Sequence, residues 1–183
     1  MDLKKRHGLS DVVSTLIIIV VAVLLASIAT YFSVNTTTTR SSYEALTFDK
    51  QHIWVNSTGC VAAFRVKAVG GKDMLIEKIE IRKVDSSWSD VYFFRVPTGT
   101  KIISDMNLTS SAHLMGPSVS LFGRTYNQVP EDIPLISGGE ILFYIKNPGD
   151  IGIDDIGSRA TIRVITNNAR YIIEKNIETS TSQ

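Results

Sequence analysis

Residues 3–35 of the chain read LKKRHGLSDVVSTLIIIVVAVLLASIATYFSVN. Residues 12–34 are a run of 23 residues without a charge, interrupted only by five serines and threonines. A helix of that length measures about 35 Å at about 1.5 Å per residue, which is enough to cross a hydrocarbon layer of about 30 Å. A secretory leader has an apolar core of only about 7–15 residues, so this run is too long for one. The sequence therefore predicts a single membrane-spanning helix.

The charges beside this run predict its orientation. Lys4, Lys5 and Arg6 precede it, and no charge follows Asp11 until Arg40. Basic residues next to a spanning helix stay on the cytoplasmic side, so we expect everything beyond Asn35 to lie outside the cell. The small hydroxyl groups inside the run can bond to carbonyl groups of their own helix or to a neighbouring helix.

Composition excludes several classes of protein. A chain of 183 residues suits one folded domain with an appendage. The net charge is +1, and Met1–Gly8 supplies +2 of it from three cations and one acid, so the other 175 residues carry −1. That balance leaves no basic face for nucleic acid. Cys60 is the only cysteine, which excludes an intrachain disulfide and a thiolate metal cluster.

Beyond residue 45 the hydrophobic pattern changes to that of strands. CVAAFRVKAV at 60–69 and RATIRVIT at 159–166 alternate apolar and polar residues, which is typical of half-buried strands. The predicted strands are Thr47–Val55, 60–69, Leu75–Val84, Val91–Val96, Ile141–Lys146, 159–166 and Tyr171–Ile177. Because these seven strands have no helices between them, we expect an antiparallel, Ig-like β-sandwich and, with the N-terminal apolar helix, an α+β chain.

Two local features refine this prediction. Asn167–Asn168 is typical of the turn in a β-hairpin. Ile76 and Ile79 fall out of phase in their strand, which predicts a bulge at Glu77–Lys78. The segment 99–134 gives no clear pattern, and we expect long loops with short strands there.

The residues that could carry chemistry are few. His7, His52 and His113 lack the spacing of a metal pair, and no catalytic triad, phosphate loop or dinucleotide motif is present. We therefore expect neither an enzyme nor a cofactor. We expect Cys60 and the two tryptophans to pack in the core.

Two kinds of surface site remain open. Asp150, Asp154 and Asp155 offer oxygen ligands suited to calcium, but their spacing matches no calcium loop, and a solvated acidic turn is the favoured interpretation. Sequons for N-glycosylation occur at three asparagines, which are Asn35, Asn56 and Asn107. All three would face the outside in the predicted orientation.

The junction KKRHG–LSDVV places a glycine between the basic cluster and the apolar run. This arrangement resembles the class III signal peptide of type IV pilins, specifically archaeal pilins and archaellins. Residues 137–178, SGGEILFYIKNPGDIGIDDIGSRATIRVITNNARYIIEKNIE, are similar to the closing hairpins of the head domains in the same family. The resemblance implies that a prepilin-type peptidase cuts on the cytoplasmic side after Gly8, so that Leu9 becomes the N-terminus of the mature protein.

One acidic residue departs from the bacterial form of this pattern. Bacterial pilins have a glutamate at the fifth mature position, where this chain has Val13, whereas Asp11 stands at the third. Asp11 could neutralise the α-amino group of Leu9 in its own or a neighbouring subunit. It could equally only complement the dipole at the start of the helix.

The expected organisation follows from the pattern and the resemblance together. It comprises a class III signal peptide at 1–8, an apolar helix at 9–34, a polar hinge at 35–45, a β-sandwich head domain at 46–178 and a disordered tail at 179–183. The resemblance implies a structural subunit of a surface filament, either an adhesive pilus or an archaellum. Its helix would wait in the cytoplasmic membrane and then pack against copies of itself. Its other partners would be the peptidase, an assembly ATPase and a membrane platform protein.

An alternative belongs to another functional class. A permanently anchored external binding domain, such as a stator component of the archaellum motor or an envelope receptor, also joins one N-terminal helix to a β-sandwich. Such a protein has no need of a glycine between KKRH and the apolar run.

Overall fold

A computed structural model describes the backbone of residues 3–180 and the side chains of residues 11–37 and 43–180. Met1, Asp2 and residues 181–183, which include most of the expected tail, lie outside the described residues. The chain divides into two compact units, Met1–Ser42 and Tyr43–Gln183. The second unit is called the β domain below.

The first unit is one helix, α1, from Leu3 to Ser42. It runs eight residues beyond the expected end at residue 34 and continues through the part of the expected hinge that precedes Tyr43. Hydroxyl groups that could compete with helical hydrogen bonds instead reinforce them, since Thr37 Oγ1 donates to the Ser33 carbonyl at 2.9 Å.

Over residues 43–180 the β domain contains eleven strands in one mostly antiparallel sheet. The strands are β1 Leu46–Asn56, β2 Gly59–Ala68, β3 Met74–Ile81, β4 Val84–Asp85, β5 Val91–Arg95, β6 Ser118–Leu121, β7 Arg124–Gln128, β8 Ile133–Leu135, β9 Glu140–Lys146, β10 Arg159–Thr166 and β11 Arg170–Thr179. All seven predicted strands are present, and the α+β class is confirmed in this coarse sense. The four additional strands, β4, β6, β7 and β8, have two to five residues each.

The sheet follows the order β4-β3-β10-β11-β1-β2-β9-β5-β7-β6, with β8 paired to β3. The first and last long strands, β1 and β11, are neighbours and run parallel, with Ile53 opposite Ile177. The end of β11 overlaps the expected tail, because Thr179 is paired and the Ser180 amide donates to the Val55 carbonyl at 2.9 Å. The tail is therefore ordered at its start, since it completes the pairing with β1.

The hairpin and the bulge predicted from the sequence are both confirmed. Strands β10 and β11 form an antiparallel pair that closes at Ile165 and Arg170, around the two asparagines. On the other side of β10, Ile165 lies opposite Lys78 and Thr166 lies opposite Ile76, which leaves Glu77 as the extra residue of a bulge. The bulge lets Ile76 and Ile79 both point into the core, where each is fully buried.

The described part of the β domain has two hydrophobic cores, and the sheet curls around the larger one. The smaller core lies on the outer face of one part of the sheet. The larger core takes residues from both parts of the sheet, including Phe64 and Phe143 of β2 and β9, and Ile79 and Ile162 of β3 and β10. The smaller core lies against the opposite face of β2 and β9 and includes Met106 and Leu114 of the irregular segment 97–117. The central strands β2 and β9 are consequently buried on both faces.

Deletion of Met1–Ser42 should leave a soluble, folded and monomeric β domain, because every strand and both cores lie after Tyr43. Far-ultraviolet circular dichroism should show a β spectrum, and heating should give a cooperative melt. Substantial helix, or a melt without cooperativity, would contradict this division of the chain.

Candidate functional site

The surface of α1 is the most distinctive chemical feature of the chain. Fifteen large apolar side chains between Val12 and Val34 are exposed, by 47–68% of their surface. They lie on all sides of the helix, and none of the described span Asp11–Thr37 is buried. By length and composition this 27-residue stretch could cross a membrane, and a signal sequence near an N-terminus would pass the same test. A helix that is apolar on every side needs apolar surroundings on every side.

Several hydroxyl side chains of this helix are satisfied within it. The hydroxyl groups of Thr15, Ser27 and Thr30 each donate to the carbonyl four residues earlier, at 2.8 Å. This confirms the expectation that they can bond back to their own helix. The bonds matter because an unsatisfied polar group is costly where no water is present. The surface of the helix can therefore face lipid or another apolar helix.

The predicted processing site lies in the helical backbone, outside the residues whose side chains are described. These residues are Lys4, Lys5, Arg6, Gly8 and Leu9. Asp11 is exposed, and its backbone carbonyl accepts the Thr15 hydroxyl. Cleavage after Gly8 and pairing between Asp11 and the Leu9 amine both stay predictions.

The three sequons differ in their surroundings. Asn35 lies in α1, within the stretch that could cross a membrane. The side-chain oxygen of Asn56 accepts hydrogen bonds from the amides of Thr58 and Gly59 and thereby shapes the β1–β2 turn. Asn107 is exposed in segment 97–117, where its backbone carbonyl accepts the Tyr144 hydroxyl. Asn107 is thus the sequon with both an exposed side chain and a position outside α1 and the tight turn.

The acidic turn between β9 and β10 is held by contacts with other groups of the protein. The Asp155 carboxylate lies 2.7 Å from Arg82 and accepts the Gly152 amide at 3.0 Å, and these contacts lower the pKa of Asp155, the amide bond most strongly. Asp150 and Asp154 are exposed. Over residues 11–37 and 43–180, no three His, Cys, Asp or Glu side chains come together in a way that could hold a metal ion.

Cys60 and Trp54 are buried, as predicted from the sequence, and Trp88 is half-buried against the larger core. Burial is the main cause that raises the pKa of the Cys60 thiol to about 12. The thiol is therefore protonated and unreactive at neutral pH.

Sequence reasoning missed a charged cluster around His52. The ring of His52 stacks on Trp54, with centroids 4.8 Å apart. Its Nε2 lies 3.1 Å from Asp105 in segment 97–117, and its Nδ1 lies 3.0 Å from Glu178 in β11. Each ring nitrogen of His52 thus faces a carboxylate. No sequence motif signals this cluster, because its members are up to 126 residues apart.

The two carboxylates of this cluster have shifted pKa values. Partial burial alone would raise both, but hydrogen bonds outweigh it. Asp105 accepts from the Met106 amide and from His52, and Glu178 accepts from His52 and Lys175. The pKa of each carboxyl group therefore lies below its usual value. The arrangement joins segment 97–117 to β11 through β1.

Comparison with models of known protein families finds none that matches this chain. Comparison with curated proteins likewise finds no match. The fold and the chemistry of the helix are therefore the basis of the functional argument.

Replacement of Glu178 by glutamine should lower the stability of the fold at neutral pH and should make this stability depend less on pH. Carboxyl groups with lowered pKa values stabilise the folded state above their usual pKa of about 4, and this contribution is lost as the pH falls through the lowered values. The Glu178 side chain is 35% exposed, so solvent weakens its ion pairs, and we expect the thermal midpoint of Glu178→Gln to fall by about 2 °C at pH 7, the size of about 0.5 kcal/mol. The difference from the unmodified chain should shrink as the pH approaches 3, because acid removes the same charge.

Glu174→Gln is the matched control for this measurement. Glu174 lies on the same strand and pairs with Arg159 at 3.6 Å, but both side chains are more than half exposed. Exposed pairs contribute little, so its midpoint should barely change. Identical pH profiles for Glu178→Gln and the unmodified chain would contradict a stabilising role for the cluster.

Proposed function

We propose that this chain is the structural subunit of a surface filament of the archaeal type IV pilus class, either an adhesive pilus or an archaellum. The observation that carries the proposal is the surface of α1, which is apolar on every side and whose Thr15, Ser27 and Thr30 hydroxyl groups bond back to the helix. Such a helix is stable in lipid before assembly and against copies of itself afterwards.

The leader supports the same proposal. The basic cluster and Gly8 stand at the cytoplasmic border of the apolar run, where a prepilin-type peptidase would release Leu9. Cleavage there removes the charge that holds the N-terminus in the cytoplasm, and the helix stays on the mature protein. An assembly ATPase and a membrane platform protein would then drive extraction of the helix into the filament.

The β domain would form the outer surface of the filament and could adhere to cells or surfaces. We interpret it as an Ig-like β-sandwich, because the curled sheet buries residues from both of its parts in one core. We assign it no catalytic role and no cofactor. Its exposed Asn107 is the preferred position for N-glycosylation once the domain lies outside the cell.

A second candidate function is a permanently anchored external binding protein, such as a stator component or envelope receptor. It is favoured by the same membrane-length helix, because anchoring requires only hydrophobic length. The two functions differ in processing and in the tolerance of the helix to changes of shape.

The first test is processing. The protein isolated from its native membrane should begin at Leu9, as measured by intact mass and N-terminal sequencing. A Gly8→Trp variant should retain the leader, because a bulky residue replaces the small one at the proposed cleavage border. A mature chain that keeps Met1–Gly8 in cells with the peptidase would favour the permanent anchor.

The second test is the shape of the helix. Ala22→Trp or Ala26→Trp should leave membrane insertion intact and abolish filaments, because closely packed helices do not accommodate so large an increase in volume. Both substitutions keep the segment apolar, so insertion is expected to change little. Electron microscopy of sheared surface material measures assembly, and blots of alkali-washed membranes measure insertion.

Leu25→Trp is the matched control on the same helix, since it exchanges one large apolar side chain for another and adds less volume. We expect it to reduce assembly less than either alanine variant. Normal filaments from both alanine variants, or no filament that contains this protein, would overturn the filament proposal.

A further inference from the structure

The β domain carries a small apolar surface at the end where the chain enters it from α1. Tyr43, Val69 and Ile136 are exposed there by 63%, 55% and 60% of their surface. They belong to three separate segments, namely the entry to β1, the β2–β3 turn and the β8–β9 turn. We refer to these three side chains as the entry patch.

Backbone contacts hold the three segments together. The amide of Val69 donates to the Ala45 carbonyl at 2.9 Å, and the amide of Gly138 donates to the Ala68 carbonyl at 3.1 Å. The Ser137 hydroxyl donates to the Gly70 carbonyl at 2.7 Å. The backbone segments that carry the three side chains are therefore held together.

Gly70 is required for this close approach of the segments. A Cβ atom at Gly70 would lie 2.2 Å from the Tyr43 carbonyl oxygen and 2.6 Å from the Ala45 nitrogen. Both neighbours are backbone atoms, which cannot turn aside as a side chain could. The chain thus enters the domain directly beside the β2–β3 turn.

The side chain of Glu44 fixes the start of the β domain to the β10–β11 hairpin. The Glu44 carboxylate is 5% exposed, accepts the Thr166 hydroxyl at 3.1 Å and is also bonded by the Asn168 amide. Lys72 lies 3.9 Å from the same carboxylate and keeps 53% of its side chain exposed. Lys72 therefore lies beside Glu44, the residue that follows Tyr43 of the entry patch.

The length of the chain limits how far this patch can be from the apolar span. Only residues 38–42 separate Thr37, the last residue of the span, from Tyr43. From Thr37 to Tyr43 the chain covers about 9 Å as a helix and at most about 21 Å when extended. A bilayer has an interfacial layer of about 5–8 Å outside its hydrocarbon core on each side. The entry end therefore cannot leave the neighbourhood of a membrane that holds the span.

We propose that the entry patch is a membrane-contacting surface, with the lipid interface around the chain's own anchor as its occupant. Tyrosine is enriched at that interface because its ring is apolar and its hydroxyl group is polar. Val69 and Ile136 supply apolar surface beside it, and Lys72 suits the phosphate groups of anionic lipids. The contact holds the β domain on the membrane while α1 is anchored there. The proposal rests on membrane anchoring by α1 and does not depend on filament formation.

The test places a polarity-sensitive NBD label at single cysteines in the full-length chain. Val69→Cys and Ile136→Cys report the entry patch. Ile153→Cys is the control, since it is 52% exposed in the β9–β10 loop, beyond the opposite end of β9. The native Cys60 stays unlabelled, because it is 2% exposed and its thiol is protonated.

The labelled proteins are reconstituted into vesicles of phosphatidylcholine and phosphatidylglycerol. Labels at 69 and 136 should emit at shorter wavelength than the label at 153. Headgroup spin-labelled lipid should quench a larger fraction of their fluorescence. Both effects should persist when the protein is diluted with more lipid.

Three other results would overturn the proposal, and each points elsewhere. Emission at 69 and 136 equal to that at 153, in vesicles that float with the protein, would show that the patch faces water while the anchor holds. A blue shift lost on dilution would identify a second copy of the chain as the occupant. A protein that does not float with vesicles would overturn membrane anchoring itself, and with it the proposed function.

Discussion

The apolar surface of α1 must be removed from water, and the organisation of the chain follows from that requirement. Burial of one large apolar side chain contributes about 1.5–3 kcal/mol, and fifteen such side chains are exposed on this helix. The sum exceeds the total stability of a typical domain, which is about 5–15 kcal/mol. Both proposed functions would remove this surface from water. A permanent anchor would stay in lipid, whereas a filament subunit would lie first in lipid and afterwards against neighbouring helices.

The β domain meets a similar requirement within itself. Strands β2 and β9 are central in the sheet, and consecutive residues such as Ala62 and Ala63 lie in different cores. A strand that is buried on both faces needs a cover on its second face, and segment 97–117 provides it with Met106 and Leu114. Polar contacts fix this cover, since Lys50 Nζ donates to the carbonyls of Ile102, Ile103 and Ser104. A segment with only one short 3-10 helix, Ser111–His113, is thus part of the core.

Local sequence patterns predict those features of the fold that depend on neighbouring residues. Alternation in β10, the asparagine turn and the bulge at Glu77 depend on residues close in sequence, and all three are confirmed. The run ILFYI of β9 carried a further signal, because five apolar residues in succession are typical of a strand covered on both sides. That signal shows that a cover exists, but it does not identify segment 97–117 as the cover.

The rest of the fold depends on contacts between residues far apart in the sequence, and no sequence pattern predicts these contacts. Lys50 has a positive φ of 54° and lies next to the register shift in β1. Its side chain bonds to carbonyl groups more than fifty residues away in the sequence. The helix α1 continues beyond its predicted end at residue 34, because the low helix propensity of threonine-rich segments in water is offset where Thr37 bonds back to its own helix. Cleavage between Gly8 and Leu9 stays a prediction that rests on the resemblance alone, since cleavage depends on an encounter with another protein.

The two ends of the β domain have different chemistry, which suits a subunit that is tethered at one end. At the entry end the patch is apolar, and Glu44 secures the chain to the β10–β11 hairpin through Thr166 and Asn168. At the far end, the turn between β9 and β10 is acidic and is closed by Arg82 with Asp155. A pull on α1 would reach the sheet through β1, which is hydrogen-bonded along its length to β2 and near its end to β11. The entry of the chain is therefore joined to the body of the sheet through the hydrogen bonds of β1 with two neighbouring strands.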